Sequence, residues 1–356
     1  MFNEKLFAEK LTGLVPYAVD TAAYKIRLDA NESFIGMPEE MRGKFAKVTR
    51  ALDFNRYPDP NADALCEAFA AYYGLQRENV CAGNGSDEII SILMNGFADK
   101  GDTVLTFAPD FSMYAFYASL AELRCVTVEK QPDSLQIDFD AADRALSENT
   151  VRMCIFSNPC NPTGRIEKKS DIVALAEKHP DTLFVVDEAY MDFAGTASES
   201  FLHDAGKYAN IIVLKTLSKA LGSAALRVGF VVADTRFCGM FAAVKSPYNV
   251  NSLSQAFGSA ILEEKERLDD CIARILASRD ALFDGIVSRG IAMPAKMYTN
   301  FVFFEAANAK ELYEFLKKER ILVRYFGIGG GALRITAGSP EENRILLDAL
   351  ERAVKQ

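Results

Sequence analysis

Lys219 stands just past an apolar, β-branched run, Ile211-Ile212-Val213-Leu214, beside the hydroxyls of Thr216 and Ser218 and ahead of Arg227. An amine so placed can attack a carbonyl carbon, while the hydroxyls and guanidinium hold an anion; a solvated loop lysine would also satisfy the stretch. The other apolar runs end on similar chemistry. Leu183-Phe184-Val185-Val186 closes on Asp187, followed by Tyr190; an acid there is costly without a cationic partner, unless the strand end is solvated. Cys154-Ile155-Phe156-Ser157 runs into Asn158-Pro159-Cys160-Asn161-Pro162-Thr163-Gly164, a rigid non-helical turn able to fix the direction of an asparagine side chain. Cys81-Ala82-Gly83 leads through Asn84 and Gly85 to Ser86, Asp87 and a helical pattern, whose first N–H groups offer an anion seat or an ordinary N-cap. Phe111, just past Val104-Leu105-Thr106-Phe107-Ala108, is either a stacking surface or a core aromatic. Together these are the parts that hold a planar, phosphorylated pyridine aldehyde. N–H groups, hydroxyls and an arginine suit the phosphate, an aromatic suits the ring face, a carboxylate suits the ring nitrogen and an amine suits the aldehyde.

Open α/β sheets collect ligands at the carboxyl ends of their strands, so these residues need such a sheet beneath them. The pattern from Asn79 onward supplies it. Apolar runs at 103–108, 125–129, 151–156, 182–187 and 210–215 alternate with helical stretches such as 87–98 and 168–179. This alternation predicts an α/β domain with a mainly parallel sheet. Residues 254–290 form one long helical pattern with room for a single break. Strand-like NFVFFE, ILVRYF and ALRIT and two further helices follow, which predicts a smaller α+β domain beginning near Ser246-Pro247.

At 356 residues the chain exceeds one ordinary core. A net charge of -9 argues against nucleic-acid or anionic-membrane partners. Seven scattered cysteines without a C-x-x-C pair read as reduced thiols, and the charged N-terminal decapeptide does not read as a secretory leader, so a cytoplasmic location is expected. Only two histidines occur, far apart, so metal-histidine or Ser-His-Asp chemistry is a poor fit.

The chain resembles the fold-type I pyridoxal-phosphate aminotransferases of class I/II nearly end to end. The resemblance is carried by Val15-Pro16-Tyr17, Leu28-Asp29-Ala30-Asn31-Glu32, Arg56-Tyr57-Pro58, Gly85-Ser86-Asp87-Glu88, Asn161-Pro162-Thr163-Gly164, Asp187-Glu188-Ala189-Tyr190, Thr216-Leu217-Ser218-Lys219, Arg227, Asn249-Val250-Asn251-Ser252 and Leu333-Arg334-Ile335. It implies an N-terminal arm over 1–27 that packs with the small domain, a large cofactor-binding domain over 28–245 and a small domain over 246–356. The implied cofactor is pyridoxal 5'-phosphate. Lys219 would carry its aldehyde, Asp187 would pair with the pyridinium nitrogen, Tyr190 and Asn161 would bond the phenolic oxygen, and Phe111 would stack on the ring. Gly85, Ser86 and Asp87, with Thr216, Ser218 and Arg227, would hold the phosphate, joined by Tyr57 from a second subunit of a homodimer. Tyr17, Asn31, Arg324 and Arg334 would contact substrate. The implied reaction moves an amino group between a phosphorylated amine, histidinol phosphate, and 2-oxoglutarate, with glutamate as co-product. Aromatic-amino-acid transamination and threonine-phosphate decarboxylation on the same scaffold are the alternatives. One position departs from the family pattern: Ala225 stands where a glycine is usual, which removes freedom for positive φ near the phosphate.

Overall fold

The computed structural model describes residues 6–11, 14 and 20–355. A short strand β1 (Ile26–Arg27) and helices α1 (Glu39–Ala51) and α2 (Asp63–Tyr73) lead into the sheet region. There the chain runs β2 (Val80–Gly83), α3 (Ser86–Gly96), β3 (Thr103–Ala108), α4 (Met113–Leu120), β4 (Arg124–Glu129), α5 (Phe139–Glu148), β5 (Val151–Ser157), α6 (Lys169–Lys178), β6 (Leu183–Asp187), β7 (Ile211–Thr216), β8 (Gly229–Val232) and α7 (Thr235–Val244). The seven strands lie in the order β2-β8-β7-β6-β5-β3-β4. All pair in parallel except β8, which runs against both β7 and β2.

Helices cover both faces, which is why the strands read as unbroken apolar runs rather than as alternating ones. Successive residues of one strand still serve opposite cores. Val185 packs with Ile89, Leu93 and Phe241 on one side, while Phe184 and Val186 pack with Phe69, Ile172 and Leu175 on the other.

The C-terminal helical pattern is two helices, α8 (Ser252–Leu262) and α9 (Lys265–Ser288), parted at Glu263-Glu264. Then come β9 (Phe301–Glu305), α10 (Ala309–Lys318), β10 (Ile321–Leu322), β11 (Arg324–Phe326), β12 (Ala332–Thr336) and α11 (Pro340–Val354), the last opened by a Ser339–Glu342 capping box. Strands β11, β12 and β9 form an antiparallel sheet, and β10 pairs in parallel with β1. The core of this unit takes in Ile26 and Leu28 from the N-terminal side. Val250, Ile261, Leu262 and Leu268 pack instead into the core of the large sheet. A further apolar cluster joins the two units: Tyr190, Phe193 and Ala220 meet Met297, Phe301, Phe303 and Ala332.

Strand β8 can lie against the β2–α3 turn only because Gly229 has no side chain. A Cβ there would stand 2.7 Å from the Gly85 carbonyl carbon and 2.7 Å from the Ser86 nitrogen, both backbone atoms that cannot swing aside. Gly229→Ala should therefore cost about 1–3 kcal/mol in urea unfolding. Gly239→Ala, in α7 with open space around it, should be neutral or slightly stabilising. Equal effects of the two would contradict the close approach.

Candidate active site

Register places the chemistry. Ser157 at the end of β5 lies opposite Asp187 at the end of β6, and Asp187 lies opposite Leu214 in β7. Thr216 of β7 and Gly83 of β2 both face Gly229. The turns carrying Gly85, Asn161, Asp187 and Lys219 therefore leave one edge of one sheet.

Asp187 is buried there. It accepts hydrogen bonds from Tyr114 Oη (2.8 Å) and from the Ala189 N–H (3.0 Å). Both donors are neutral, and among the described residues Asp187 makes no ion pair. Burial pushes its carboxyl up to about 6, and nearby Asp110 and Asp87 push the same way, against the two hydrogen bonds. Tyr114 is fully buried behind it, edge-on to Phe111 with ring centroids 5.5 Å apart.

The opposite flank is an anion cradle. Gly85 caps α3 with φ of 86°, and the first N–H groups of the helix, those of Ser86 and Asp87, have no acceptor within the helix. A Cβ on Gly85 would meet Arg227 Nη2 at 2.8 Å, so the guanidinium lies directly over this turn. Arg227 donates to Ser218 Oγ (3.4 Å) and pairs with Asp87 (3.3 Å). Thr216 Oγ1 donates to Ser218 Oγ (2.9 Å). Lys219, half-buried, donates to the Ala30 carbonyl (2.8 Å). Ala225 lies in a short 3-10 turn without positive φ, which Gly222 and Arg227 adopt instead. The missing glycine therefore puts no strain on this loop, because positive φ is not required at position 225.

The small unit closes the site from the front. Arg334 of β12 donates to Asn161 Oδ1 and to the Asp29 carbonyl, and its guanidinium lies over the rings of Phe301 and Phe326 at 5.4 and 5.7 Å. Arg324 faces Arg334 directly across the β11–β12 pair, which puts both side chains on one face. Asn31 donates from Nδ2 to Tyr190 Oη (2.7 Å) and accepts from Thr336 Oγ1 (3.1 Å), so its amide is committed to holding the tyrosine. Tyr57 stands apart, 81% exposed, stacked on Tyr248 at 4.6 Å. Tyr17 lies outside the described residues.

Sequence reasoning missed Tyr114 and the buried contact of Lys130 with Asp110 and Cys160. A tyrosine in the first turn of α4, one helical turn from Phe111, was the available signal for the former.

The donor set fits pyridoxal phosphate: a reachable amine on Lys219, a buried carboxyl for the ring nitrogen, a flat aromatic, and a cradle of N–H groups, hydroxyls and Arg227 that a Cβ at Gly85 would fill. An α/β sheet with an amine, a carboxyl and an anion cradle on one strand edge defines a class of amino-group-handling enzymes. The model of the aminotransferase class I and II family matches residues 23–350, and the chain belongs to that family. It is 36% identical to a histidinol-phosphate aminotransferase of Clostridium kluyveri over 99% of both chains. To one of Clostridium novyi it is 39% identical, over 98% of this chain and 97% of the other. The crystal structure of histidinol-phosphate aminotransferase from Sinorhizobium meliloti, in complex with pyridoxal-5'-phosphate, has the same fold. Its TM-score is 0.89 at 23% identity, over 99% of this chain and 98% of that one.

Between the ordinary aspartate value of 3.8 and about 6, folded Asp187 keeps a proton that the unfolded chain has lost. Over that interval the folded state binds more protons, so this residue lowers stability as pH rises. In cofactor-stripped protein, Asp187→Asn should gain on the parent by about 2–3 kcal/mol between pH 4 and pH 7 in urea unfolding. Parallel pH profiles would contradict the burial of an ionisable carboxyl here.

Proposed function

We propose that this enzyme moves an amino group between histidinol phosphate and 2-oxoglutarate, giving imidazole acetol phosphate and glutamate, as a step of histidine biosynthesis, with pyridoxal phosphate as cofactor. The observation that carries the substrate assignment is the pairing of Arg324 with Arg334 on one face of the β11–β12 hairpin. One guanidinium suffices for a carboxylate through a bidentate fork; a second beside it suits a further anion, the phosphate ester. The full-length relatives named above support the same reading.

Pyridoxal phosphate, when bound, supplies an aldehyde that condenses with amines and a ring that accepts the electron pair left when a proton leaves the substrate. Lys219 Nζ would hold the aldehyde and, when released from it, would be the base that takes the α-proton and returns it. Asp187 would place negative charge against the ring nitrogen, which would keep that nitrogen protonated. Phe111 would cover one ring face, and Tyr190 and Asn161 would bond the phenolic oxygen. Asn31 and Arg334 hold those two side chains in place. The α3 N-terminus, Thr216, Ser218 and Arg227 fix the phosphate.

The same reading makes the enzyme a homodimer. Tyr57 and its stacking partner Tyr248 are 81% and 42% exposed, and Phe54, three residues before Tyr57, is 67% exposed. A neighbouring subunit's phosphate would give the Tyr57 hydroxyl a hydrogen-bond acceptor, while the ring stacks on Tyr248 of its own chain.

Arg324→Ala should lower kcat/KM for histidinol phosphate about ten- to a hundredfold while leaving unphosphorylated phenylalanine far less affected, since charge-assisted bonds contribute roughly 1.5–3 kcal/mol each. Equal losses on both, or a parent that prefers phenylalanine, would favour aromatic transamination; carbon dioxide release from phosphothreonine would favour decarboxylation. Tyr57→Ala and Lys219→Ala chains, each inactive alone, should regain part of the activity when mixed, through hybrid dimers that carry one intact site. An active monomer, or no recovery on mixing, would contradict the shared site.

A further inference from the structure

Behind the site lies an ion pair that the reaction itself does not use. Lys130, just past the end of β4, donates from Nζ to Asp110 Oδ2 (3.2 Å), and the two side chains are 0% and 1% exposed. The same ammonium donates to Cys160 Sγ (3.0 Å). Asp110 is itself a junction. It accepts from the Phe111 N–H (2.7 Å), from the Ser157 hydroxyl, and from the Ser157 N–H (3.3 Å). Ser157 Oγ in turn accepts from the Asn161 N–H (3.0 Å). One carboxylate thus ties the loop bearing Phe111 to the loop bearing Asn161, and Lys130 grips both it and Cys160, the residue before Asn161.

We propose that Lys130 is a positioning residue: through Asp110 and Ser157 it locks the Phe111 and Asn161 loops into one cofactor-binding geometry. The inference rests on the pyridoxal phosphate reading above. A buried carboxylate persists as an ion only with a buried countercharge, and breaking such a pair from one side leaves an uncompensated charge. Asp110 without Lys130 is left as an uncompensated buried charge, and its bonds to Phe111 and Ser157 reorganise around it. Asp187 feels the change as well, because the charge of Asp110 already acts on it.

The test uses pyridoxal phosphate itself, with equilibrium dialysis for the dissociation constant and induced circular dichroism at saturation for ring orientation. Lys130→Met should raise the dissociation constant at least tenfold and alter the induced band. In an Asp110→Asn background, adding Lys130→Met should change the dissociation constant less than threefold further, because the route through Asp110 is already cut. Ser157→Ala cuts the same chain at a neutral bond and should alter the band in the same direction, which keeps the test decisive if Lys130→Met does not fold. A purely structural pair would lower the unfolding midpoint and leave the constant and band of the folded protein unchanged; that outcome, or additive effects of the two changes, overturns the inference. A parent chain that does not retain pyridoxal phosphate overturns the cofactor reading and this inference with it, whereas a parent that retains it equally with Lys130→Met overturns this inference alone.

Discussion

The site depends on a carboxyl held where water does not reach. Asp187 ends a strand flanked on both sides by other strands and covered on both faces by helices, and among the described residues its carboxyl accepts from a phenol and one peptide N–H. Such a group is costly to ionise by itself. It is also pre-arranged to favour a protonated ring nitrogen, because a cation placed against it recovers much of the desolvation penalty. The cost of burial in the free chain and the affinity for a pyridinium are two aspects of the same arrangement.

The remaining geometry suits a flat, doubly anionic molecule set against that carboxyl. The cradle formed by α3, Thr216, Ser218 and Arg227 lies beyond β7, on the reversed strand's side of Asp187, while Phe111 and Asn161 lie towards β5 and β3. The reversed strand β8 matters here. It brings Arg227 in from the opposite direction, and Gly229 lets it approach the α3 turn closely enough for the guanidinium to cover Gly85. The small unit adds the arginine pair, and its cluster around Phe301 and Phe303 packs against Tyr190.

Much of this was legible in the sequence because burial on both faces writes itself as continuous apolar runs, and each run stops where polar chemistry begins. The single break in the long C-terminal helical pattern and the return through Gly327–Gly331 that pairs Arg324 with Arg334 were readable for similar local reasons. The links between distant positions were not. Tyr114 reaches Asp187 from another βα unit, and Lys130 meets Asp110 and Cys160 only through the parallel stacking of β3, β4 and β5. No periodicity encodes such pairs. Ala225 was legible only as lost freedom for positive φ; that the loop takes positive φ at Gly222 and Arg227 instead is set by the fold. The boundary read near residue 246 marks a change of pattern, while the packing of Ile261 and Leu262 follows the large sheet.

The central claim is that buried Asp187 holds a pyridine nitrogen protonated. Nuclear magnetic resonance of the protein loaded with pyridoxal phosphate labelled with nitrogen-15 in the ring reads this directly. The account predicts a protonated-ring signal in the parent at neutral and mildly alkaline pH, and its loss in Asp187→Ala with the label still bound. An unprotonated ring nitrogen in the parent, or a protonated one that survives removal of the carboxyl, would contradict it.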